Sequence, residues 1–191
     1  MLYAALTLAW LLGLVYSAIP SYWLVVHPFA DKWRARQGGI YTYLGFAWLT
    51  FIILLGAVTG RWRFITLYQT WWSLLPGAIL AALDIYLLRK IGRDFGRDRL
   101  IGRHELNAGQ TDNRLIITGM HARMRHPIYL AHLIMLSALT VASGLLVMYG
   151  LLAFAIVTGA IMIRTEDAEL EKRFGDEYRE YRKRVPAIGI F

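Results

Sequence analysis

Residues 123–133, RMRHPIYLAHL, place two arginines and a histidine directly before a proline and a long apolar run. Proline suits the first turn of a helix, because its missing N–H needs no partner there. Pro127 therefore predicts a helix start, with Arg125 and His126 at the positive end of that helix. Free N–H groups at such an end bind anions such as a carboxylate. The stretch predicts a small-molecule site, unless its arginines only fix the orientation of a membrane helix.

A second group of charges closes the same apolar run, in the order Arg164, Thr165, Glu166 and Asp167. If the run folds back on itself as two helices, Glu166 returns to the level of His126. An anion-binding helix end and an acid would then face each other at one depth. That pair suits a ligand with an ammonium and a carboxylate, together with ribose hydroxyls. The alternative is an ordinary charged helix end, which the spacing alone does not reject.

The elements that must hold these residues are four long runs with almost no charge. The first three are each long enough for one membrane crossing of about 20 residues. The fourth is too long for one crossing and is interrupted by Ser143-Gly144, so we expect two helices joined by a tight turn. The predicted fold is all-α, an integral membrane bundle of five transmembrane helices whose last two form a tight helical hairpin. The runs are Leu2–Val26, Ile40–Thr59, 65–88 and 128–163.

Two features inside the runs carry predictions of their own. The first run has no basic start and a long apolar part, so we expect a retained helix rather than a cleaved signal peptide. Pro20 predicts a kink or break in that helix. Asp84 is the one acid within a run; we expect it to pair with Arg89 or reach toward water, with a functional role as the alternative.

The net charge is +8, and its distribution predicts an orientation. With five spans, all of the 21 Lys and Arg residues except Arg61 and Arg63 fall on one side. The positive-inside rule places that side in the cytoplasm and the N-terminus outside. The same charge predicts attraction to anionic lipids. Nucleic acid is not an expected partner, because there is no groove-reading motif. The chain has no cysteine, which excludes disulfides, thiol nucleophiles and thiolate metal sites.

We expect a single domain over residues 1–191. Its parts are three N-terminal spans in 1–88, a cytosolic loop in 89–127, the helical hairpin in 128–163 and a cytosolic C-terminal helix in 164–191. The C-terminal part has an apolar stripe at helical spacing, which predicts an amphipathic helix. No required protein partner is evident. The stripe consists of Leu170, Phe174, Tyr178, Tyr181 and Val185.

The polar residues of the second half form an ordered motif: Gly119-x-His121, Arg125-His126-Pro127-x-Tyr129, Arg164-x-Glu166-Asp167-x-x-Leu170, and Phe174-Gly175-x-x-Tyr178-x-x-Tyr181. This motif resembles the isoprenylcysteine carboxyl methyltransferase family and the related membrane phospholipid methyltransferases. The N-terminal spans match that family only in number and length. The resemblance implies an integral membrane enzyme that binds S-adenosylmethionine without a Rossmann domain, in line with the absence of a strand followed by GxGxxG.

The resemblance also implies that the cytosolic loop and the C-terminal amphipathic helix form the cofactor pocket. It further implies which residues touch the cofactor and the acceptor. His121 stands where the family often has an aromatic residue and would stack on adenine. The family's arginine four residues before its glutamate corresponds to Met162, so we expect Arg164 to lie nearest an acidic acceptor group. No catalytic residue is assigned. The implied cofactor residues are Asn113, Arg114, Leu115, Ile116, His121, His126, Pro127, Ile128, Tyr129 and Glu166.

The predicted reaction is methyl transfer to a lipophilic acceptor from the bilayer, either a prenylcysteine-like carboxylate or a phospholipid amine. A base is needed only for a protonated amine. One alternative is a membrane reductase of sterol or polyprenyl type that uses NADPH, and another is a non-enzymatic membrane subunit. No metal site is expected, because the histidines lack recognisable ligand spacing. We expect His27 to end the first span and His132 to pack between helices or face the cofactor.

Overall fold

The computed structural model describes residues 2–35, 40–95 and 114–189. Within these ranges the regular structure is helical, with no strand beyond one isolated bridge between Thr66 and Leu145. Four helical segments are long and apolar enough to cross a membrane, namely Leu2–Trp33, Tyr41–Trp62, Trp71–Arg93 and Leu146–Phe174. The predicted all-α fold is confirmed for the described residues, and four of its helices are compatible with an integral membrane protein.

The helices of the described ranges are α1 (Leu2–Val26), α2 (Ala30–Ala35), α3 (Ile40–Thr59), α4 (Leu74–Phe95), α5 (Pro127–Ser143), α6 (Leu146–Phe174) and α7 (Asp176–Arg184). Short 3₁₀ turns at His27–Phe29, Gly60–Trp62, Trp71–Ser73 and Gly119–Ala122 lie between them. Helix α5 packs mainly along α4, and α1 packs against α6, α5 and α3.

Helix α1 continues through Pro20, so the break that the sequence predicted there does not occur. Pro20 is buried. A membrane helix tolerates the hydrogen bond lost at proline when neighbouring helices surround it, and α6 and α5 do so here. The chain leaves the α-helical conformation only at the 3₁₀ turn that begins with His27.

The third span begins later than the sequence predicted. Residues 65–70 are not α-helical; α4 starts at Leu74, after a 3₁₀ turn that Thr70 caps. The backbone before it pairs with the turn between α5 and α6: Leu67 N–H donates to Gly144 O at 2.8 Å, and Leu146 N–H donates to Ile65 O at 2.9 Å. Hydropathy could not reveal this pairing, because the polarity of a segment does not show which turn its backbone bonds to.

Gly144 ends α5 in the left-handed conformation, with φ of 62°. A Cβ at this position would lie 2.4 Å from the carbonyl oxygen of Tyr68, so only glycine fits the turn. Gly144 and Leu145 connect α5 to α6, which runs past Glu166 to Phe174. The interruption predicted at Ser143-Gly144 is where α5 ends.

The C-terminal stripe is one apolar cluster, although two helices carry it. Gly175, with φ of 59°, separates α6 from α7. Tyr178, Tyr181 and Val185 are buried, and Leu170 and Phe174 of α6 pack against them together with Leu115. The single C-terminal helix that the sequence predicted is therefore bent at Gly175, and the bend keeps the stripe continuous.

Side-chain and backbone contacts show which helix ends lie together at each end of the bundle. The rings of Tyr3 and Phe64 lie 5.1 Å apart, and the chain after Phe64 bonds to the Gly144 turn, so these three places share one end of the bundle. His27 lies beside Glu166 at the other end. Between the ends, large apolar side chains such as Phe46, Ile53 and Ile79 are exposed, as expected for helices in contact with lipid.

Asp84 does not form the ion pair with Arg89 that the sequence suggested. Its side chain is 1% exposed, and neither carboxylate oxygen has a hydrogen-bond partner among the described residues. Asp84 lies on α4, the helix that packs most extensively against α5, and its carboxylate interacts electrostatically with Tyr16 of α1. Helix packing therefore holds Asp84 away from water.

Candidate functional site

The start of α5 is fixed by backbone contacts from the C-terminal segment. His126 precedes Pro127 as the N-cap residue and makes no side-chain cap bond. The N–H of Arg125 donates to Pro186 O at 2.9 Å, and that of His126 donates to Ala187 O at 3.0 Å. These two bonds hold the charged helix start against the chain that follows α7.

Arg125 and Asp167 form a buried bidentate ion pair. Arg125 Nη2 lies 2.8 Å from Asp167 Oδ2, and Nε lies 3.2 Å from Oδ1. The two side chains are 8% and 5% exposed. Arg125 also donates to the carbonyl of Val185, and the hydroxyl of Tyr178 donates to Asp167. Burial raises the pKa of Tyr178, and its bond to the Asp167 carboxylate raises that pKa further, so Tyr178 remains a donor.

The ring of His126 lies between two carboxylates. Its Nδ1 is 3.1 Å from Glu166 Oε2, and its Nε2 is 3.0 Å from Asp167 Oδ1. Burial by itself lowers the pKa of His126, but the charges of Glu166 and Asp167 outweigh it and raise the pKa to about 9. His126 is therefore an imidazolium at neutral pH, with both nitrogens donating. The cluster of Arg125, His126, Glu166 and Asp167 is thereby balanced in charge.

His27 is the fifth member of this cluster, from a different part of the chain. Its Nε2 lies 3.7 Å from Glu166 Oε2, and its ring stacks on Trp23 with centroids 5.3 Å apart. The residue is 4% exposed, and its Nδ1 is buried with no hydrogen-bond partner among the described residues. Glu166 is the accessible member of the cluster, with 28% of its side chain exposed.

Other implied cofactor residues of α5 face inward. Pro127 is buried, and Ile128 packs into the apolar cluster formed with α4. The hydroxyl of Tyr129 donates to Ala155 O at 2.7 Å, inside the contact between α5 and α6. A Cβ at Gly159 would lie 1.7 Å from that hydroxyl oxygen, so Tyr129 occupies the space that glycine leaves.

The segment before α5 is only partly described. Asn113 lies outside the described residues. Arg114 is exposed, Ile116 is half-buried, and Leu115 packs against the Tyr178 cluster. His121 is buried, and its carbonyl accepts a hydrogen bond from Tyr181 at 2.6 Å. This bond joins the segment to α7.

Arg164, the residue expected nearest an acidic acceptor group, is exposed. Two helix positions separate it from Glu166, a rotation of about 200°. Met162, at the position of the family's arginine, is buried in a cluster with Tyr129 and Trp23. The role of Arg164 in binding an acceptor stays a prediction.

Sequence reasoning paired His126 with Glu166, and the structure brings them into contact. It missed the roles of Asp167 and Tyr178, which hold Arg125, although both belong to the motif. It also missed His27, which lies far from the motif along the chain. No local signal marks His27, because its role depends on α1 packing against α6.

Comparisons with known proteins give one partial likeness. The chain is 35% identical over 83 residues to the cobalt-zinc-cadmium resistance protein CzcN of Cupriavidus metallidurans. The match covers 42% of this chain and 38% of that protein, so the chain spans well under half of the relative's length. No protein-family model and no solved structure matches the chain. In the described ranges, no group of three or more His, Asp or Glu side chains is arranged to hold a metal ion.

Proposed function

We propose that this protein is an integral membrane methyltransferase that uses S-adenosylmethionine and acts on a lipophilic acceptor. One observation carries the proposal: the proline-started end of α5 and the acidic part of α6 meet, with His126 and Glu166 in contact at 3.1 Å. The sequence motif that resembles the isoprenylcysteine carboxyl methyltransferases comes from these same two helix ends. Their contact supports a shared site for one small molecule.

The proposed topology has five crossings, with α5 and α6 as the last two. Helix α5, Pro127–Ser143, is shorter than the four long segments and spans about 25 Å at 1.5 Å per residue. It runs from the charged cluster to the Gly144 turn, which supports a crossing. We place the N-terminus and the Gly144 turn outside, and the cluster and C-terminus in the cytoplasm, because the basic residues gather at that end.

The residues present suit a zwitterionic nucleoside cofactor. Glu166 is a partly exposed carboxylate, and its charge can accept hydrogen bonds from an ammonium or from ribose hydroxyls. Arg114, Leu115, Ile116 and His121 precede α5 on a segment that Tyr181 ties to α7. His126 and Pro127 hold Glu166 and the helix start in place. Glu166, the four residues before α5, and His126 and Pro127 are the residues that would bind the cofactor.

When bound, S-adenosylmethionine supplies a methyl group that is already activated by a positive sulfonium. The protein then needs no covalent intermediate of its own. Its residues must orient the acceptor, keep water out and hold Glu166 in one place. The buried His126, itself held by Asp167, supports the last of these roles, because its ring contacts Glu166 at 3.1 Å. Positioning of this kind can contribute about 7–11 kcal/mol to the lowering of a barrier.

The acceptor proposed is a membrane lipid with a nucleophilic group, either a prenylcysteine-like carboxylate or a phospholipid amine. Exposed apolar side chains on the outer helix faces support a bilayer location for the protein. An acceptor drawn from the bilayer would meet the cluster at the membrane boundary, where α6 changes from apolar to charged residues.

Calorimetric titration of the detergent-purified protein tests the proposal. We expect S-adenosylmethionine to release or absorb heat on binding and NADPH to give none. Glu166→Gln should weaken binding at least tenfold, a loss of about 1.4 kcal/mol. Glu177→Gln is the matched control, because Glu177 is an exposed acid of α7 outside the cluster. Binding of NADPH alone would support the reductase alternative, and binding unchanged in Glu166→Gln would contradict the assigned site.

A further inference from the structure

A groove of about 330 Å³ lies between the end of α3 and the beginning of α6, across the bundle from the charged cluster. This is the end of the bundle that holds Phe64 and the Gly144 turn. A Cβ at Gly150 would meet no atom within 4 Å, so open space adjoins this glycine. The walls of the groove include Leu55, Thr59 and Trp62 on one side and Val147, Gly150 and Phe154 on the other.

The walls of this groove are mainly apolar. Thr59 carries the one hydroxyl among them, and that hydroxyl already has partners: it donates to Leu55 O at 2.8 Å and accepts from Trp10 Nε1 at 3.1 Å. Apart from the indole of Trp62, the other walls are leucine, valine, glycine and phenylalanine. A hydrocarbon chain therefore suits the groove, because a polar ligand would give up hydrogen bonds to water there.

Two arginines lie beside the Trp62 wall of the groove. The guanidinium of Arg61 lies 3.9 Å from the centre of the Trp62 ring, in a cation–π contact. Arg63 donates from Nη1 to Gly60 O at 2.8 Å, and its guanidinium lies 4.5 Å from the centre of the Phe64 ring. These contacts hold both groups in place and, within the described ranges, leave most of their N–H donors available to a ligand.

The stretches of sequence that form this end of the bundle contain no carboxylate. The sequence has no Asp or Glu before Asp31, between Asp31 and Asp84, or between Asp112 and Glu166. In the part of the chain that the structure describes, neither arginine beside the groove forms an ion pair. Two neighbouring cations without an acid attract an anion from outside the chain, and the phosphate of a lipid is the anion that a membrane supplies.

We propose that this groove binds one acyl chain of an anionic phospholipid whose phosphate lies on Arg61 and Arg63. An anionic head group fits better than a zwitterionic one, because no acid at this end pairs with an ammonium or choline cation. With the proposed orientation, the lipid belongs to the outer leaflet. The site does not depend on methyl transfer, since it lies across the bundle from Glu166. Failure of S-adenosylmethionine to bind would reject the proposed function and leave this site standing.

Photolabelling of the detergent-purified protein tests this site with a phosphatidylglycerol that carries a diazirine in one acyl chain. We expect peptide mass spectrometry to find the label in residues 55–62 and 146–154. Unlabelled phosphatidylglycerol should compete for these peptides about tenfold more effectively than phosphatidylcholine of identical acyl chains, because two arginines contact the anionic head group. Absence of label from these peptides, or equal competition by the two lipids, would overturn the proposal.

A pair of double variants assigns the head group to its arginines. Arg61→Gln with Arg63→Gln removes both guanidinium groups beside the groove, so phosphatidylglycerol should lose its advantage over phosphatidylcholine. Arg89→Gln with Arg93→Gln is the matched control, because it removes the same charge from exposed positions in the last turns of α4. The control should keep the advantage, and equal losses in the two double variants would contradict the role of Arg61 and Arg63.

A change at Gly150 assigns the acyl chain to the groove. Gly150→Leu fills the open space beside this glycine and should reduce labelling of both peptides about tenfold, whereas Gly150→Ala adds one carbon and should change it little. Unchanged labelling in Gly150→Leu would contradict the occupancy of the groove.

Discussion

His126 joins the two charged helix ends of this protein through its two ring nitrogens. One nitrogen bonds to Glu166 and the other to Asp167, and these acids are neighbours on α6. Asp167 is fully occupied, since Arg125 and Tyr178 also bond to it. Glu166 contacts His126 and His27, and part of its side chain is exposed to solvent. Asp167 therefore acts as a structural anchor, and Glu166 is the acid left to meet a ligand.

The raised pKa of His126 predicts a stability that depends on pH. The pKa rises from 6.5 in the unfolded chain to about 9 in the folded protein. A raised pKa contributes stability that is complete below about pH 6.5 and is lost as the pH rises through about 9. The full contribution is on the order of 3 kcal/mol. We expect the thermal unfolding midpoint in detergent to fall over this window.

The variant His126→Gln provides the comparison for this pH dependence. Without a titrating ring, its midpoint should start lower and change less between about pH 6.5 and about pH 9. Circular dichroism melts at a series of pH values give both curves. Parallel curves for the two proteins would show that other groups cause the pH dependence.

The sequence predicted the contact of His126 with Glu166 because the two residues flank one apolar run that was expected to fold back on itself. It did not predict the roles of His27 and Asp84. The surroundings of these two residues depend on how α1 packs on α6 and α4 on α5. Polarity and spacing along one helix contain no information about that packing, so Asp84 was wrongly paired with Arg89.

Helices α5 and α6 interlock because the side chain of one tyrosine on α5 fits into the space beside one glycine on α6. Tyr129 reaches from α5 to the carbonyl of Ala155, and Gly159 leaves room for its ring. Small residues allow membrane helices to approach closely and to bond across the interface. This contact fixes the two helix ends that carry His126 and Glu166 relative to each other.

Gly159→Ala should therefore destabilise the protein. The added Cβ would lie 1.7 Å from the hydroxyl oxygen of Tyr129, so α5 and α6 must move apart. We expect a loss of about 1–3 kcal/mol in unfolding free energy. Denaturant titration in mixed micelles measures it, with Gly150→Ala as the control on the same helix, because a Cβ at Gly150 meets no atom within 4 Å.

The control should be neutral or stabilising, by up to about 1 kcal/mol, as for alanine in place of glycine within a helix. A double variant with Tyr129→Ala should lose less stability than the sum of the two single changes, because the clash is then absent. Equal losses at the two glycines would contradict the interlock.

Hydropathy identified every long helix of the described ranges but misplaced the start of α4. Residues 65–70, ITLYQT, mix apolar and polar side chains, and their backbone bonds to the Gly144 turn instead of continuing as a helix. The stripe from Leu170 to Val185 was recognised correctly as one apolar surface, whereas the bend at Gly175 was not predicted. Both errors occur where backbone conformation, rather than hydrophobic pattern, decides the structure.

Across the whole molecule, the two ends differ in chemistry. One end holds the N-terminal part of α1, the chain after Phe64 and the Gly144 turn. The other holds the charged cluster, with His27 beside Glu166. Five crossings follow if α5 traverses the membrane, and the basic residues then lie on the cytoplasmic side.

The absence of cysteine makes this topology directly measurable. Single variants Arg61→Cys and Lys183→Cys place one thiol at each end. With five crossings, a membrane-impermeant maleimide added to intact cells should label Arg61→Cys and spare Lys183→Cys until the cells are lysed. Labelling of Lys183→Cys in intact cells would reverse the proposed orientation.

The segment that follows α7 has a practical consequence for handling the protein. The carbonyls of Pro186 and Ala187 accept hydrogen bonds from the backbone at the start of α5, so this segment holds the residues that carry the charged cluster. An affinity tag or reporter fused just beyond it would pull on the residues that hold Arg125 and His126. Fusions before Tyr3, whose ring contacts Phe64 at the other end of the bundle, leave these bonds intact.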